Sequence, residues 1–237
     1  MQDRYAGDVG DFVKLGLLRA VSPGRKLGVI WYRYPNENHN KDGRHVSYLE
    51  QPDRYAHLDR ELFDHLGQVV AKSRTIKSLL PALGDVSSFD ESVDLANVAP
   101  RERREWRDEW LSRALGEVTG CDIVFADPDN GIVDDADWRK GQAKFGKQMP
   151  LGEVRAIAQG RCAIIYHHNT RRAGGHDAEV DHWLEQFGTP GIAVRATAYS
   201  PRTFFVLNPD PEIEERVRNF CIQWQEMRVR LHTNKRS

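Results

Sequence analysis

Asp127-Pro128-Asp129-Asn130 places two carboxylates and an amide directly after the apolar run Ile123-Val124-Phe125-Ala126. The apolar run reads as a strand buried on both faces, and the polar residues with Gly131 read as the turn that ends it. In an open α/β sheet, the edge where strands end is where ligands bind. The same residue types are also the ordinary material of a turn, so the stretch alone leaves both readings open. A second constellation, His167-His168-Asn169-Thr170-Arg171-Arg172, follows another apolar run, Arg161 to Tyr166. A third is the long polar stretch 33–48, with Tyr34, Asn36, Asn38, Lys41, Arg44 and His45. Loops of that length inside a compact domain are often functional.

If these stretches meet on one rim, the chemistry they offer is hydrolytic. A carboxylate stabilises developing positive charge or polarises water, and an amide or imidazole orients water or holds a leaving group. The catalytic candidates are Asp127, with Asp129 next, and then Asn130, His168 and Asn169. The substrate-binding candidates are Lys14, Tyr34, Asn36, Asn38, Arg44, His45, Lys144, Tyr166, His167, Arg171 and Arg202. Among these, Lys14, Arg44, Lys144 and Arg171 are the expected phosphate contacts, and Tyr34, Tyr166, Trp138 and Tyr199 are aromatic rings able to stack on a base. Each group has a plainer reading. A His-His pair after a strand can be a hydrogen-bonded pair without chemistry, and Arg139, Lys140, Lys144 and Lys147 can be a solvated loop. Asp-x-Asp near His-His lacks a recognised metal-ligand spacing, so no metal is expected.

The elements that must position these residues follow from periodicity. Helices are expected over Asp8–Val21, Tyr55–Ala71, Pro100–Leu115, Pro150–Gln159, Asp177–Phe187 and Glu212–Arg230. Strands are expected over Leu27–Tyr32, Cys121–Ala126, Arg161–Tyr166, Ile192–Tyr199 and Thr203–Leu207, with a further short one over Arg74–Leu80; Gly84–Ala99 reads either as loop or as loop with a short strand. The charges of the helix over 100–115 read as a solvated face around Trp106, Trp110 and Leu111. Strands alternating with helices imply a Rossmann-like α/β fold: a mainly parallel sheet with helices on both faces and a C-terminal antiparallel hairpin through Ser200-Pro201-Arg202. One domain over 1–237 is expected, with 33–48 as an insertion at the active edge and 233–237 as a flexible tail.

The composition fits one soluble domain: 237 residues, 40% hydrophobic and 29% charged. No apolar run approaches the ~18 residues of a membrane span, and the N-terminus lacks a signal-like apolar core. Cys121, Cys162 and Cys221 have apolar neighbours and no metal-like spacing, which suits reduced thiols in a cytoplasmic protein. A net charge of −1 provides no global attraction to nucleic acid, so any phosphate-binding surface must be local.

Three stretches resemble the adenine-N6 methyltransferases of large-subunit ribosomal RNA, on a Rossmann-type methyltransferase scaffold. They are Ala6-Gly7-Asp8-Val9-Gly10-Asp11-Phe12-Val13-Lys14, Asp127-Pro128-Asp129-Asn130, and Phe205-Val206-Leu207-Asn208-Pro209. The resemblance implies that the first flanks a cofactor and that the second stands where the Asp-Pro-Pro-Tyr motif grips the target adenine. Two departures oppose methyl transfer. The turn after the first strand, Arg33-Tyr34-Pro35-Asn36-Glu37-Asn38, has no glycine to let the backbone approach S-adenosylmethionine. Asp129-Asn130 also replaces Pro-Tyr, which removes an aromatic face and adds a carboxylate.

A base-sized pocket of acids, amides and histidines without a cofactor suits hydrolysis of an N-glycosidic bond. The chain is similar in this to DNA glycosylases. In size and residue class it resembles bacterial anti-phage glycosylases that remove glucosylated hydroxymethylcytosine from viral DNA. The expectation is therefore a DNA glycosylase-type hydrolase, with DNA as partner through its phosphate backbone and a flipped base, no membrane and no cofactor. The alternatives are an S-adenosylmethionine-dependent adenine-N6 methyltransferase with a divergent loop and an inactive nucleic-acid-binding module.

Overall fold

The computed structural model describes residues 1–37 and 43–233; Asn38, Lys41 and the tail 234–237 lie outside the described residues. In chain order the elements are α1 (Val9–Val21), β1 (Leu27–Ile30), α2 (Pro52–Tyr55), α3 (Arg60–Lys72), β2 (Val86–Phe89), α4 (Arg103–Glu117), β3 (Ile123–Ala126), β4 (Ile132–Val133), α5 (Asp137–Lys140), β5 (Met149–Pro150), α6 (Leu151–Ala158), β6 (Cys162–His168), α7 (Gly175–Phe187), β7 (Gly191–Ala196), β8 (Arg202–Leu207), α8 (Pro211–Gln223) and β9 (Val229–Leu231).

The main sheet runs β2-β1-β3-β6-β8-β7-β9. β2, β1, β3 and β6 are mutually parallel, whereas β8 runs antiparallel to both β6 and β7, and β9 runs antiparallel to β7. This is the expected α/β class: a mostly parallel centre flanked by helices, with antiparallel strands toward the C-terminus. Successive side chains of β3 show the two faces. Ile123 and Phe125 join the core beneath α1, α3 and α8, while Val124 and Ala126 join the core beneath α4, α6 and α7. A strand covered on both sides has no polar face, which is why the run is wholly apolar.

Three expectations change. Arg74–Leu80 is not a strand; Ile76–Leu83 is a 3-10 helix, and the edge strand is Val86–Phe89, inside the stretch 84–99 that the sequence leaves open between loop and short strand. The C-terminal helix ends at Gln223 rather than Arg230. A short 3-10 turn and Arg228, at φ 53°, lead into β9, which pairs with β7. The charged helix α4 also buries one of its charges: Arg107 donates from Nε to Glu153 Oε1 at 2.7 Å and from Nη2 to Oε2 at 3.0 Å. Tyr32 donates its hydroxyl to the same carboxylate at 2.7 Å. This buried trio ties α4 and α6 to the end of β1.

α1 is the element that positions the site. Asp8 caps it, accepting from Gly10 N at 2.7 Å and Asp11 N at 3.2 Å. Its position against α8 depends on Gly16, where a Cβ would stand 2.5 Å from the Trp224 ring.

Candidate active site

A cavity of about 350 Å³ opens at the carboxyl ends of β1, β3 and β6. The chain leaves β1 for β2 on one side and returns to β3 on the other, so the cavity lies at a topological switch point. Register explains the grouping: Ile30, Ala126 and Ile165 are aligned, so Asp127 and Tyr166 follow at the same level. β8 brings Arg202 opposite His168. α1 adds Asp8, Asp11 and Lys14.

Asp127 is the carboxylate that the end of β3 presents to the cavity. It is buried, and Lys14 Nζ donates to its Oδ2 at 2.7 Å and to Asp11 Oδ1 at 2.6 Å. Among the described residues no donor is bonded to Asp127 Oδ1, which leaves that oxygen for a ligand. Burial pushes the Asp127 carboxyl above the ordinary range, while Lys14 and the α-amino group pull it back. Burial pushes Asp11 up as well, with Lys14 opposing. For Lys14, burial favours loss of the proton, yet the two aspartates outweigh it and hold the ammonium well above its usual range. Lys14 is therefore a charged clamp between two carboxylates, not the expected phosphate contact.

Asp129 is held from behind. Gln2 is fully buried and donates to Asp129 Oδ2 at 2.8 Å and to Glu37 Oε2 at 3.1 Å, and Lys147 bridges toward both acids. The Met1 α-amino group donates to Tyr32 O at 2.9 Å and Asp127 O at 3.1 Å, and Tyr34 N donates to Met1 O at 2.8 Å. Met1 thus bridges the residues that follow β1 and β3. Burial lowers the proton affinity of its amino group, against the pull of Asp129 and Asp127.

The other expected residues divide between the cavity and its surroundings. Asn130, His45, Tyr166, His168 and Arg202 line the cavity with Asp127 and Asp129. Burial raises the Tyr166 phenol above its ordinary range, and His168 Nδ1 lies 3.4 Å from its hydroxyl. His167 and Asn169 lie behind the wall. His167 Nδ1 accepts from Ile132 N at 3.0 Å, which leaves the ring proton on Nε2, 3.2 Å from Glu179 Oε1. Asn169 is buried between Glu179, at 3.2 Å, and Thr203, at 2.9 Å. Alternation along β6 is the physical reason: adjacent residues face opposite ways. His167 is not a substrate contact, and Asn169 is not placed to orient water; both brace the strand end through Glu179.

Tyr34 and Asn36 stand outside the lining. Lys147 lies 5.0 Å from the Tyr34 ring, and Asn36 Oδ1 accepts from Arg4 N. Arg44, Lys144 and Arg171 are exposed and also outside the lining. Much of the basic stretch is engaged locally: Arg139 with Asp134, Lys140 with Asp137 and Lys147 with Glu37. Asn208, from the third resembling stretch, lies away from the cavity, donating to Ala158 O and Arg161 O. Among the described residues, no group of three or more His, Cys, Asp and Glu side chains is placed to hold a metal ion.

Sequence reasoning missed Asp8 and Asp11 as cavity residues, together with Met1, Tyr5, Gly10, Gly43 and Ser200. A signal existed for the first two. Asp8, Asp11 and Lys14 recur every three residues at the start of an otherwise apolar helix, a spacing that puts them near one face.

No family model matches the chain, and no curated protein matches it. Among solved structures, protein LPL1258 from Legionella pneumophila str. Philadelphia 1, of family DUF519, is similar over 98% of this chain and 99% of its own, at 9% identity and a TM-score of 0.53. That likeness is one of fold. The fold and cavity together define an α/β protein with an acid-rich pocket at its switch point.

Proposed function

We propose that this protein is a DNA glycosylase-type hydrolase that releases a nucleobase from DNA and leaves an abasic site. The single observation that carries the reading is the charge of the cavity: Asp8, Asp11, Asp127 and Asp129 against Lys14, Arg202 and the Met1 α-amino group. Such an interior disfavours a phosphate and favours a group on which positive charge develops. Cleavage of an N-glycosidic bond creates that charge on the sugar, and a fixed carboxylate stabilises it without reorganising.

Asp127 supplies that carboxylate through Oδ1, with Lys14 holding its other oxygen. Water oxygen bonds to the sugar C1′ as the bond from C1′ to the base nitrogen breaks. The bonding pair leaves with the base, and the proton lost by water ends on the base. Asn130 and His168, both exposed at the mouth, orient that water or hold the departing base, and Asp129 supports them. Arg44, Lys144 and Arg171 grip the phosphate backbone outside the cavity. The resemblance to anti-phage glycosylases makes a modified base in viral DNA the substrate of choice, and the cytoplasm the place of action. No helix among the described residues is long and apolar enough to cross a membrane.

A second reading, an S-adenosylmethionine-dependent adenine-N6 methyltransferase, is favoured by one observation: an acid-rich pocket also suits a sulfonium. Against it stands Met1, whose amino group is bonded to Tyr32 O and Asp127 O where β1 and β3 end. The test is incubation with modified and unmodified DNA, followed by detection of free base and alkali-labile sites. Asp127→Asn is expected to lower base release by about 100-fold or more; full activity in that variant would remove Asp127 from the mechanism. Tight binding of S-adenosylmethionine in calorimetry would replace the hydrolase with the methyltransferase. Salt-sensitive DNA binding without product would leave only a binding module, and strand scission abolished by a chelator would indicate a nuclease.

A further inference from the structure

The β7–β8 hairpin contributes two residues to the cavity wall, Ser200 and Arg202, joined by a hydrogen bond of 2.6 Å from Arg202 Nη2 to Ser200 Oγ. Directly before them stands Tyr199, which is 46% exposed in a molecule that buries most of its aromatic rings. Its backbone is unusual. Tyr199 has φ 65°, and Ser200 N donates to Ala198 O at 2.8 Å across it. A three-residue turn with positive φ at its centre is the rare, strained γ-turn, and a bulky residue there is an outlier. Strain of this kind clusters at active sites and ligand clamps. The Tyr199 ring lies 5.4 Å from that of His45, at 45°, and His45 is itself part of the cavity lining. The two rings form an aromatic lip at the cavity mouth, with the Tyr199 side standing free.

We infer that Tyr199 enters the base stack of a DNA duplex and fills the place of the nucleotide drawn into the cavity. The inference rests on the base-excision reading and adds that the substrate is double-stranded. A nucleotide leaves the stack at a cost of unpairing and unstacking. An aromatic ring that takes its place restores stacking with the neighbouring bases, and it must sit beside the opening into which the base goes. Tyr199 meets both conditions, because the next residues in the chain are wall residues. The other highly exposed aromatic, Trp138, does not. It lies outside the cavity lining, and the Arg139 guanidinium sits 4.5 Å from its ring.

The test compares base release from a matched duplex, from the same strand alone, and from a duplex in which the target faces an abasic site. Tyr199→Ala is expected to lower the ratio of matched-duplex to single-strand rate by about tenfold, in line with the stacking an aromatic ring provides. Tyr199→Trp is expected to restore it, and the duplex with the unpaired target is expected to be the less affected of the two. Alanine keeps the same φ preference as tyrosine, so the pair of variants separates the ring from the turn. A ratio unchanged by Tyr199→Ala overturns the inference. A second measurement does not depend on chemistry: 2-aminopurine beside the target position reports unstacking when protein binds the duplex. If the protein releases no base yet the fluorescence change is present and lost in Tyr199→Ala, the hydrolytic reading fails and the role of Tyr199 stands. If base is released but neither readout depends on Tyr199, this inference fails alone.

Discussion

Lys14 touches Asp11 and Asp127 at 2.6 and 2.7 Å, and all three side chains are almost wholly buried. Removing one partner from such a group leaves an uncompensated buried charge. Lys14→Met is therefore expected to cost about 3–5 kcal/mol of stability in urea titration. In the fraction that folds, it also moves the acid limb of the pH–rate profile upward. The sign follows from the causes: burial raises the Asp127 pKa and Lys14 opposes it, so losing Lys14 lets it rise further, and more alkali is needed to ionise the carboxylate. An unmoved limb would separate Asp127 from catalysis. Glu179 behaves oppositely. Burial pushes it up, but hydrogen bonds from His167 and Thr170 outweigh that and hold it at about 2, below its ordinary 4.5. A lowered carboxyl pKa gives stability that is present above pH 4.5 and is lost as pH falls toward 2. Thermal melts of Glu179→Gln across that window are expected to show a flatter pH dependence than wild type. At this scale Asp127 was legible because an acid after a buried run stands out. His167 and Asn169 were not separable from His168, because a sequence gives alternation along a strand but not which face meets the cavity.

Among the elements, the turn after β3 depends on Gly131. It has φ 81°, and a Cβ there would lie 2.5 Å from His167 Nδ1 and 2.8 Å from His168 N. Gly131→Ala therefore combines backbone strain with a clash against the end of β6. A loss of at least about 1–3 kcal/mol is expected, with base release reduced out of proportion to the folded fraction. Equal loss of both would mean that the turn serves folding only. The helices and buried strands were largely legible because periods of 3.6 and 2 survive in the sequence. The C-terminal end was not, since Ile213, Val217, Phe220, Trp224 and Met227 keep a helical rhythm past the true end of α8. What breaks the helix is the left-handed Arg228 and the pairing of β9 with β7, a long-range contact. Ile76–Leu83 misled in the other direction: a short apolar run fits a strand or a tight helix equally well. Met1 and Gln2 were not legible, because their burial comes from contacts with Tyr32, Glu37, Asp127 and Asp129, all distant in the sequence.

For the whole molecule, the sheet order brings residues from Asp8 to Arg202 to one cavity, while the outer cations stay on the surface. Ligand binding to the folded state raises the melting temperature by mass action. Abasic product DNA is expected to raise it in low salt and less so at higher salt, whereas S-adenosylmethionine is expected to leave it unchanged. A rise with S-adenosylmethionine would favour the second reading. Burial pushes the Cys162 and Cys221 thiols up to about 12, so neither is expected to be alkylated in the native state at pH 8. Mass spectrometry after brief iodoacetamide treatment checks this, and modification before unfolding would show that the core opens.

The cavity draws on both ends of the polypeptide. Lys14 comes from α1 and Arg202 from β8, and α1 is tied to α8 where Arg216 donates to Val21 O and Pro23 O. A chain that ends after β6 holds Asp127, yet it lacks Ser200 and Arg202 of the cavity wall and Tyr199 of the lip. The wall is complete only once β8 has paired with β6, so a chain cut short before β8 keeps the acids without the pocket that encloses them.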